Sequence, residues 1–257
     1  MGSDRIISRG LVRPPAASYL KAISSSHASI DVALARTQHE EYCQALRATG
    51  LTVTVLPADE RYPDSCFMQD PAMVIAGRAI VCRMGTASRR GEEVGAAEVL
   101  AEHGFAPAAI QAPGTLEGGD VLILPDRVLV GQTARSNPDG IAQLAGIMAP
   151  LDVPVAGVRV NGYLHLLSAV AYLGDNRLLA APEFADHPAF AGLEIIPVAA
   201  EDVYAVNILP IDRKVIMPAG YPRVAQALTG CGYTVLPVPM SEFAKADGGV
   251  TCLSLVW

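Results

Sequence analysis

Apolar positions along the chain fall into two recurring patterns. The first is a β-rich run that follows a helix-like stretch and a turn: 51–57, 105–113, 153–160, 193–198 and 233–239. Three of these runs come directly after a glycine (Gly50, Gly104, Gly232), the residue that commonly stops a helix. The second pattern opens on a cation and then runs apolar, as in Arg78–Cys82, Arg127–Gly131, Arg177–Ala181 and Lys214–Met217, with Arg5–Ile7 as the candidate for a fifth. Between them, 89–103, 139–149 and 222–230 space their apolar residues as a helix does, for example Val94, Ala97, Val99 and Leu100. The cation-led runs at 78, 127 and 177 lie roughly fifty residues apart, so the chain reads as five repeats of strand, helix and strand with further short strands. One such unit cannot bury its apolar face alone. Five closing into a ring, as a single domain over 1–257, would bury it; the same element order also permits an open doubly wound sheet. No G-x-G-x-x-G follows any strand, which argues against the dinucleotide-binding form of that sheet.

A polar loop follows each β-rich run. These loops carry Asp64, Gln69 and Asp70; then Glu117 and Asp120; then His165; then Tyr204 and Asn207; then Cys252. If the units are related by rotation, the loops meet at one end of the axis and bring a thiol, an imidazole and carboxylates into one pocket. A thiol nucleophile needs a base or a nearby cation, and the base needs an orienting group; Cys252, His165 and Glu117 are those three types. Taken singly, each has a plainer reading: Cys252 as a core filler, His165 between Leu164 and Leu166 as a hydrogen-bonded core histidine, and Glu117 and Asp120 among glycines as a turn. Their common phase in the repeat favours the pocket. So do Gly248 and Gly249, which permit a close backbone approach or positive φ beside the thiol.

Hydrophobic residues make up 51% of the 257, enough for a sizeable core, and the net charge of −7 comes with no Lys/Arg cluster, which excludes a nucleic-acid partner. No apolar run has the length of a membrane span, and the first residues lack a signal-peptide pattern, so a cytoplasmic chain with reduced thiols is expected. None of the five cysteines forms a CxxC pair, so zinc-ribbon and dithiol redox sites have no support. Cys43 and Cys82 read as core. Cys66, beside Asp64 and Asp70, is a poor rival nucleophile because negative neighbours raise a thiol pKa. His27, His39, His103 and His187 read as surface or structural. Arg89, Arg90 and Arg135 are candidates for binding a substrate carboxylate. Residues 14–29, rich in small residues, fit a lid or an ordinary loop.

Several blocks, in one order, resemble the guanidino-group-modifying hydrolases (the pentein superfamily), and within it the bacterial dimethylarginine dimethylaminohydrolases. They are Ser25–His27; Pro63–Ser65 with Phe67 and Asp70; Ser88–Glu92; Ala112–Thr115 with Glu117 and Asp120; Ala134–Arg135 with Asn137; Leu164–Leu166; Val215–Arg223; and Gly248–Gly249 with Cys252. The resemblance implies an α/β fold, a five-bladed pseudo-symmetric propeller of ββαβ units, and hydrolysis of an N-methylated arginine to citrulline and a methylamine with no metal or organic cofactor. It matches Cys252 to the nucleophile, His165 to the general acid/base, Glu117 to its orienting partner and Asp70 to the carboxylate that grips the guanidinium. Arg89 and Arg135 match clamps on the substrate carboxylate, and Asp64 lies near its amino group. Phe67, Asp120 and Asn207 match positions at the site, and a homodimer is the family-level expectation. Four residues depart from the pattern: Gln69 stands where Glu is usual, Leu167 where Lys is usual, Cys66–Met68 replaces Val-Phe-Val, and Met84 replaces Pro. Gln69 is expected to remove one negative charge from the guanidinium end of the pocket, which bears on substrate identity. Within the superfamily the alternatives are an arginine deiminase or dihydrolase and another guanidino or ureido substrate; outside catalysis, a binding protein that keeps the pocket.

Overall fold

The computed structural model describes residues 7–257 and contains five separate three-stranded sheets. The first joins Arg9–Val12, Thr52–Val55 and Ser254–Val256; the second Ala72–Ile75, Arg78–Val81 and Ala108–Ala109. The third joins Val121–Ile123, Val128–Gln132 and Val155–Arg159; the fourth Val170–Gly174, Arg177–Ala180 and Glu194–Pro197; the fifth Leu209–Ile211, Lys214–Pro218 and Thr234–Val238. In every sheet the cation-led strand is central, antiparallel to one neighbour and parallel to the strand that follows the helix. Five small mixed sheets replace the open doubly wound alternative. Arg5 and Ile6 lie outside the described residues, and the cation-led strand of the first sheet is Arg9–Val12.

The central strands read as unbroken apolar runs because both faces are covered, each by a different neighbour. Leu178 and Ala180 face the third sheet while Leu179 faces the fifth; Ile80 faces the third sheet while Ala79 faces the first. Five cores result, each between two sheets: first and second, second and third, third and fourth, fourth and fifth, and fifth and first. The packing is therefore cyclic. The first sheet holds strands from near both ends of the chain, with Leu11 paired to Leu255.

Four helices span the parallel connections: α1 (Val32–Thr49), α2 (Glu93–Glu102), α3 (Pro138–Met148) and α4 (Pro222–Gly230). The carboxylate of Asp31 accepts from the Ala33 and Leu34 N–H groups at the start of α1, and Gly50 ends it at φ 104°, a conformation L side chains resist. In the fourth unit two 3-10 turns, Pro182–Phe184 and Pro188–Phe190, stand in place of a helix. The run 105–113 pairs only at Ala108–Ala109, because Pro107 and Pro113 cannot donate to a ladder. Among the described residues no helix is long and apolar enough to cross a membrane.

Candidate active site

Cys252 lies in the turn Thr251–Leu253, between Gly248–Gly249 and the last strand. Both glycines are needed for close approach, not for positive φ. A Cβ on Gly248 would stand 2.4 Å from the Phe67 ring, and one on Gly249 would stand 2.4 Å from the Asn207 amide. The Gly249 N–H points at Cys252 Sγ at 3.3 Å. Burial, reinforced by Asp70, pushes the thiol up to about 12, with the Gly249 N–H, Arg89 and the Thr251 hydroxyl opposing.

Across the pocket, His165 Nε2 donates to Glu117 Oε2 at 2.8 Å, and Glu117 is fully buried. Glu117 Oε1 accepts from the Gly85 N–H at 3.0 Å. Burial disfavours the imidazolium, but Asp70, the Glu117 hydrogen bond and Asp120 outweigh it and hold His165 above its ordinary value. Asp70 accepts from the Gly119 N–H at 3.0 Å and from Arg89 Nη1 at 2.8 Å. Burial works against its charge, yet His165 and Arg89 hold the carboxyl below the usual range.

Cys252, His165, Asp70 and Arg89 line one small pocket of about 20 Å³ with Asp64, Phe67, Arg135, Ile23 and the loop Ala246–Gly248, and Glu117 lies behind His165. Arg135 Nη1 is 3.5 Å from Glu117 Oε1. Arg89 is held by two carboxylates, Asp70 on Nη1 and Glu92 on Nε and Nη2. Burial pushes Glu92 up to about 7 despite Arg89. Asp64 is raised by burial and accepts from the Ile23 N–H at 3.2 Å. That bond ties the segment 14–29 to the pocket, as do the Ser25 bonds to the Asp247 carboxylate at 2.6 and 2.7 Å.

Besides Glu117, three expected site residues stand behind the pocket instead of lining it. Asp120 accepts from Thr133 Oγ1 at 2.7 Å and from the Leu166 N–H at 3.0 Å, which fixes the backbone next to His165. The Asn207 amide accepts from the Thr251 N–H at 2.8 Å and donates to Thr251 Oγ1 and the Leu167 carbonyl. Gln69 is turned away from the guanidinium end where it was expected: its Oε1 accepts from Thr251 Oγ1 at 2.8 Å, and it faces a second, larger cavity. The physical reason is that Gln69 sits in a turn whose amide and N–H are taken by Thr251 and Cys252, while the next residue's carboxylate is drawn the other way by Arg89 and the Gly119 N–H. Thr251 and Glu92 are the supports the sequence reading missed. Glu92 carried a signal, being an acid three residues after Arg89 in the charged stretch 88–93, whereas Thr251 carried none. Cys66 is fully buried, and burial, more than its acidic neighbours Asp64 and Glu92, lifts its thiol well above the ordinary value.

Asp70, Glu117 and His165 offer ligand atoms within 4.8 Å of one another, the one such cluster among the described residues. The carboxylate oxygens already accept from protein donors, His165 Nε2 among them, and Arg89 and Arg135 place two cations against the same carboxylates. A divalent metal would meet that positive charge; a flat, delocalised cation that donates hydrogen bonds suits the carboxylates better.

The comparisons agree with this chemistry. A family model described as N,N dimethylarginine dimethylhydrolase, eukaryotic, matches residues 16–186. The N(G),N(G)-dimethylarginine dimethylaminohydrolase of Pseudomonas aeruginosa is 41% identical over 251 residues, 95% of this chain and 97% of that protein. The chain belongs to the dimethylarginine dimethylaminohydrolase family. A second member, from Streptomyces coelicolor, is 36% identical over 250 residues, 96% of each chain. The Pseudomonas aeruginosa structure, a cysteine-to-serine mutant complexed with citrulline, superposes with a TM-score of 0.94 at 38% identity, covering 98% of this chain and 100% of that one. The N-terminal domain of the arginine dihydrolase ArgZ, from cyanobacteria, shares the fold with a TM-score of 0.88 at 23% identity, over 97% of both chains.

Proposed function

We propose that this chain hydrolyses an N-methylated arginine to citrulline and methylamine or dimethylamine, in a pocket at one end of a five-bladed propeller. The cyclic order of the five cores supports the propeller reading. The observation that carries the function is the meeting of Cys252, the His165–Glu117 pair and Asp70 around one pocket. Asp70 takes the guanidinium by charge-assisted hydrogen bonds, and the bound cation favours the thiolate that burial otherwise suppresses. Cys252 Sγ then bonds to the guanidino carbon. As the C–N bond to the methylated nitrogen breaks, His165 delivers its proton to the departing amine and leaves an S-alkylthiouronium. Neutral His165 next takes a proton from water, the hydroxide adds to the same carbon, and the C–S bond breaks to return the thiol and release citrulline. With Nε2 committed to Glu117, Nδ1 is the nitrogen that exchanges these protons. Arg135, with Arg89 behind it, serves the substrate carboxylate, and Asp64 its amino group. The pocket holds little more than a water, so entry requires the segment around Ile23 to move off the loop at Asp247.

The test is citrulline formation from asymmetric dimethylarginine, monomethylarginine and arginine, with Cys252→Ser as control. Citrulline from a methylated arginine, abolished by the substitution, is the expected result. Ornithine with two ammonias from arginine would instead place the chain with the dihydrolases.

A further inference from the structure

Behind the nucleophile lies a cavity of about 830 Å³, whose walls come chiefly from the third, fourth and fifth sheets. Gln69, Thr251 and Leu167 all line it. Thr251 is a hub: its hydroxyl donates to Gln69 Oε1 and accepts from Asn207 Nδ2, which also donates to the Leu167 carbonyl. The Gln69 N–H donates to the carbonyl of Cys252 itself at 3.1 Å. Gln69 thus grips two consecutive residues of the nucleophile's turn, one by its side chain and one by its backbone. Gln69 and Leu167 therefore present an uncharged amide and an apolar side chain to the same cavity. The cavity's cation, Arg213, is paired with Asp175 at 2.7 Å on exposed turns, so it does not serve as a counter-ion for a carboxylate at position 69.

We propose that Gln69 is a positioning residue for Cys252, acting through Thr251, and that its neutral amide keeps negative charge away from the rear of the thiol. The inference rests on Cys252 as nucleophile but not on the identity of the substrate. A carboxylate at 69 preserves the acceptor for the Thr251 hydroxyl while adding a charge, so its effect on Cys252 is electrostatic and not a lost contact. The charged groups facing Cys252 from the pocket side are Asp64, Asp70, Arg89, Arg135, His165 and Asp247. The nearby phenols of Tyr19, Tyr42 and Tyr204 are held neutral by burial. All of these are common to the variants compared and cancel between them.

The experiment is the rate of Cys252 alkylation by iodoacetamide at fixed pH 8, without substrate, in wild type, Gln69→Glu, Leu167→Lys and the double variant, with Cys252→Ser as the blank. Gln69→Glu is expected to slow alkylation about tenfold and to lower kcat several-fold, with KM for the methylated arginine within about twofold. Leu167→Lys, which adds a cation on the same cavity, restores both in the double variant. An unchanged alkylation rate, or a change confined to KM, would overturn the proposal by returning Gln69 to the substrate. If Gln69→Glu does not fold, Thr251→Val breaks the same link without charge and must lower kcat at unchanged KM; full activity in that variant also overturns it. Should no methylated arginine be turned over at all, the alkylation rates still decide.

Discussion

The His165 imidazole sits between two carboxylates that act on it differently. Glu117 binds Nε2 at 2.8 Å and orients the ring, whereas Asp70, at 4.0 Å, contributes mainly its field. Glu117→Gln keeps the shape and loses the charge, so the imidazolium becomes harder to hold and kcat falls by about 10²-fold, the low end for positioned acid–base catalysis. The stability sign follows from His165 lying above its ordinary 6.5. The imidazolium's contribution is fully present below the unfolded value and is lost as pH rises through the raised folded value. The variant should therefore lose more stability at pH 6 than at pH 9, which denaturant titrations at both pH values would read; an equal loss at both would show that the pair is not ionic. Asp70→Asn has two effects of opposite benefit. Asp70 raises the Cys252 thiol in the free enzyme, so the variant should alkylate faster at neutral pH. It should also lose about 10- to 100-fold in affinity for a guanidinium substrate, the worth of one charged hydrogen bond. Slower alkylation together with weaker binding would mean the variant had disturbed the pocket. These residues were legible in the sequence because they are polar types recurring in phase. Gln69 was visible too, but not its direction, since its partners, Thr251 and Cys252, lie about 180 residues away and meet it only on folding.

Regular elements hold these side chains in place, and two kinds of position can be separated by substitution. Asp31 caps α1 far from the pocket. Asp31→Ala should cost about 1 kcal/mol, or about 2–4 °C in Tm for a chain of this size, with kcat unchanged. Gly119 is the opposite case: a Cβ there would stand 2.8 Å from the His165 ring and 2.9 Å from Asp70 Oδ1. Gly119→Ala should therefore reduce kcat by more than tenfold while shifting Tm no further than Asp31→Ala does. Paired thermal melts and steady-state kinetics check both, and a kcat loss in Asp31→Ala would break the distinction. The element order itself was readable from the cation-led runs and the glycines after helices, because local propensity and pattern agree there. The candidate first strand at 5–7 falls largely outside the described residues; the first sheet's central strand is the next Arg-led apolar stretch, Arg9–Val12, paired with Thr52–Val55 and Ser254–Val256. The fourth unit's missing helix has its own reason: Pro182 and Pro188 favour separate short turns.

At the level of the whole molecule, Cys252 stands three residues before Leu255, in the C-terminal strand that pairs with Arg9–Val12 in the first sheet. Leu255 is 4% exposed and packs with Leu11, Met68 and Ala72 in the core between the first and second sheets. Trp257 extends the seam, its N–H donating to the Arg9 carbonyl at 3.0 Å and its carbonyl accepting from Arg9 and Ser8. In a cyclic arrangement, loss of any one core opens the ring, so stability should not distinguish the seam from other cores. Leu255→Ala and Leu144→Ala, the latter fully buried on α3 between the second and third sheets, should each cost about 2–5 kcal/mol. Function should distinguish them. The Cys252 turn hangs on the seam strand and on Gln69, next to Met68 of the same core, so Leu255→Ala should loosen the turn. It should speed iodoacetamide alkylation of Cys252 and lower kcat at temperatures well below Tm, where Leu144→Ala keeps near-native values of both. Equal losses of kcat in the two variants would mean that the nucleophile is held by the ring as a whole and not by its closing strand.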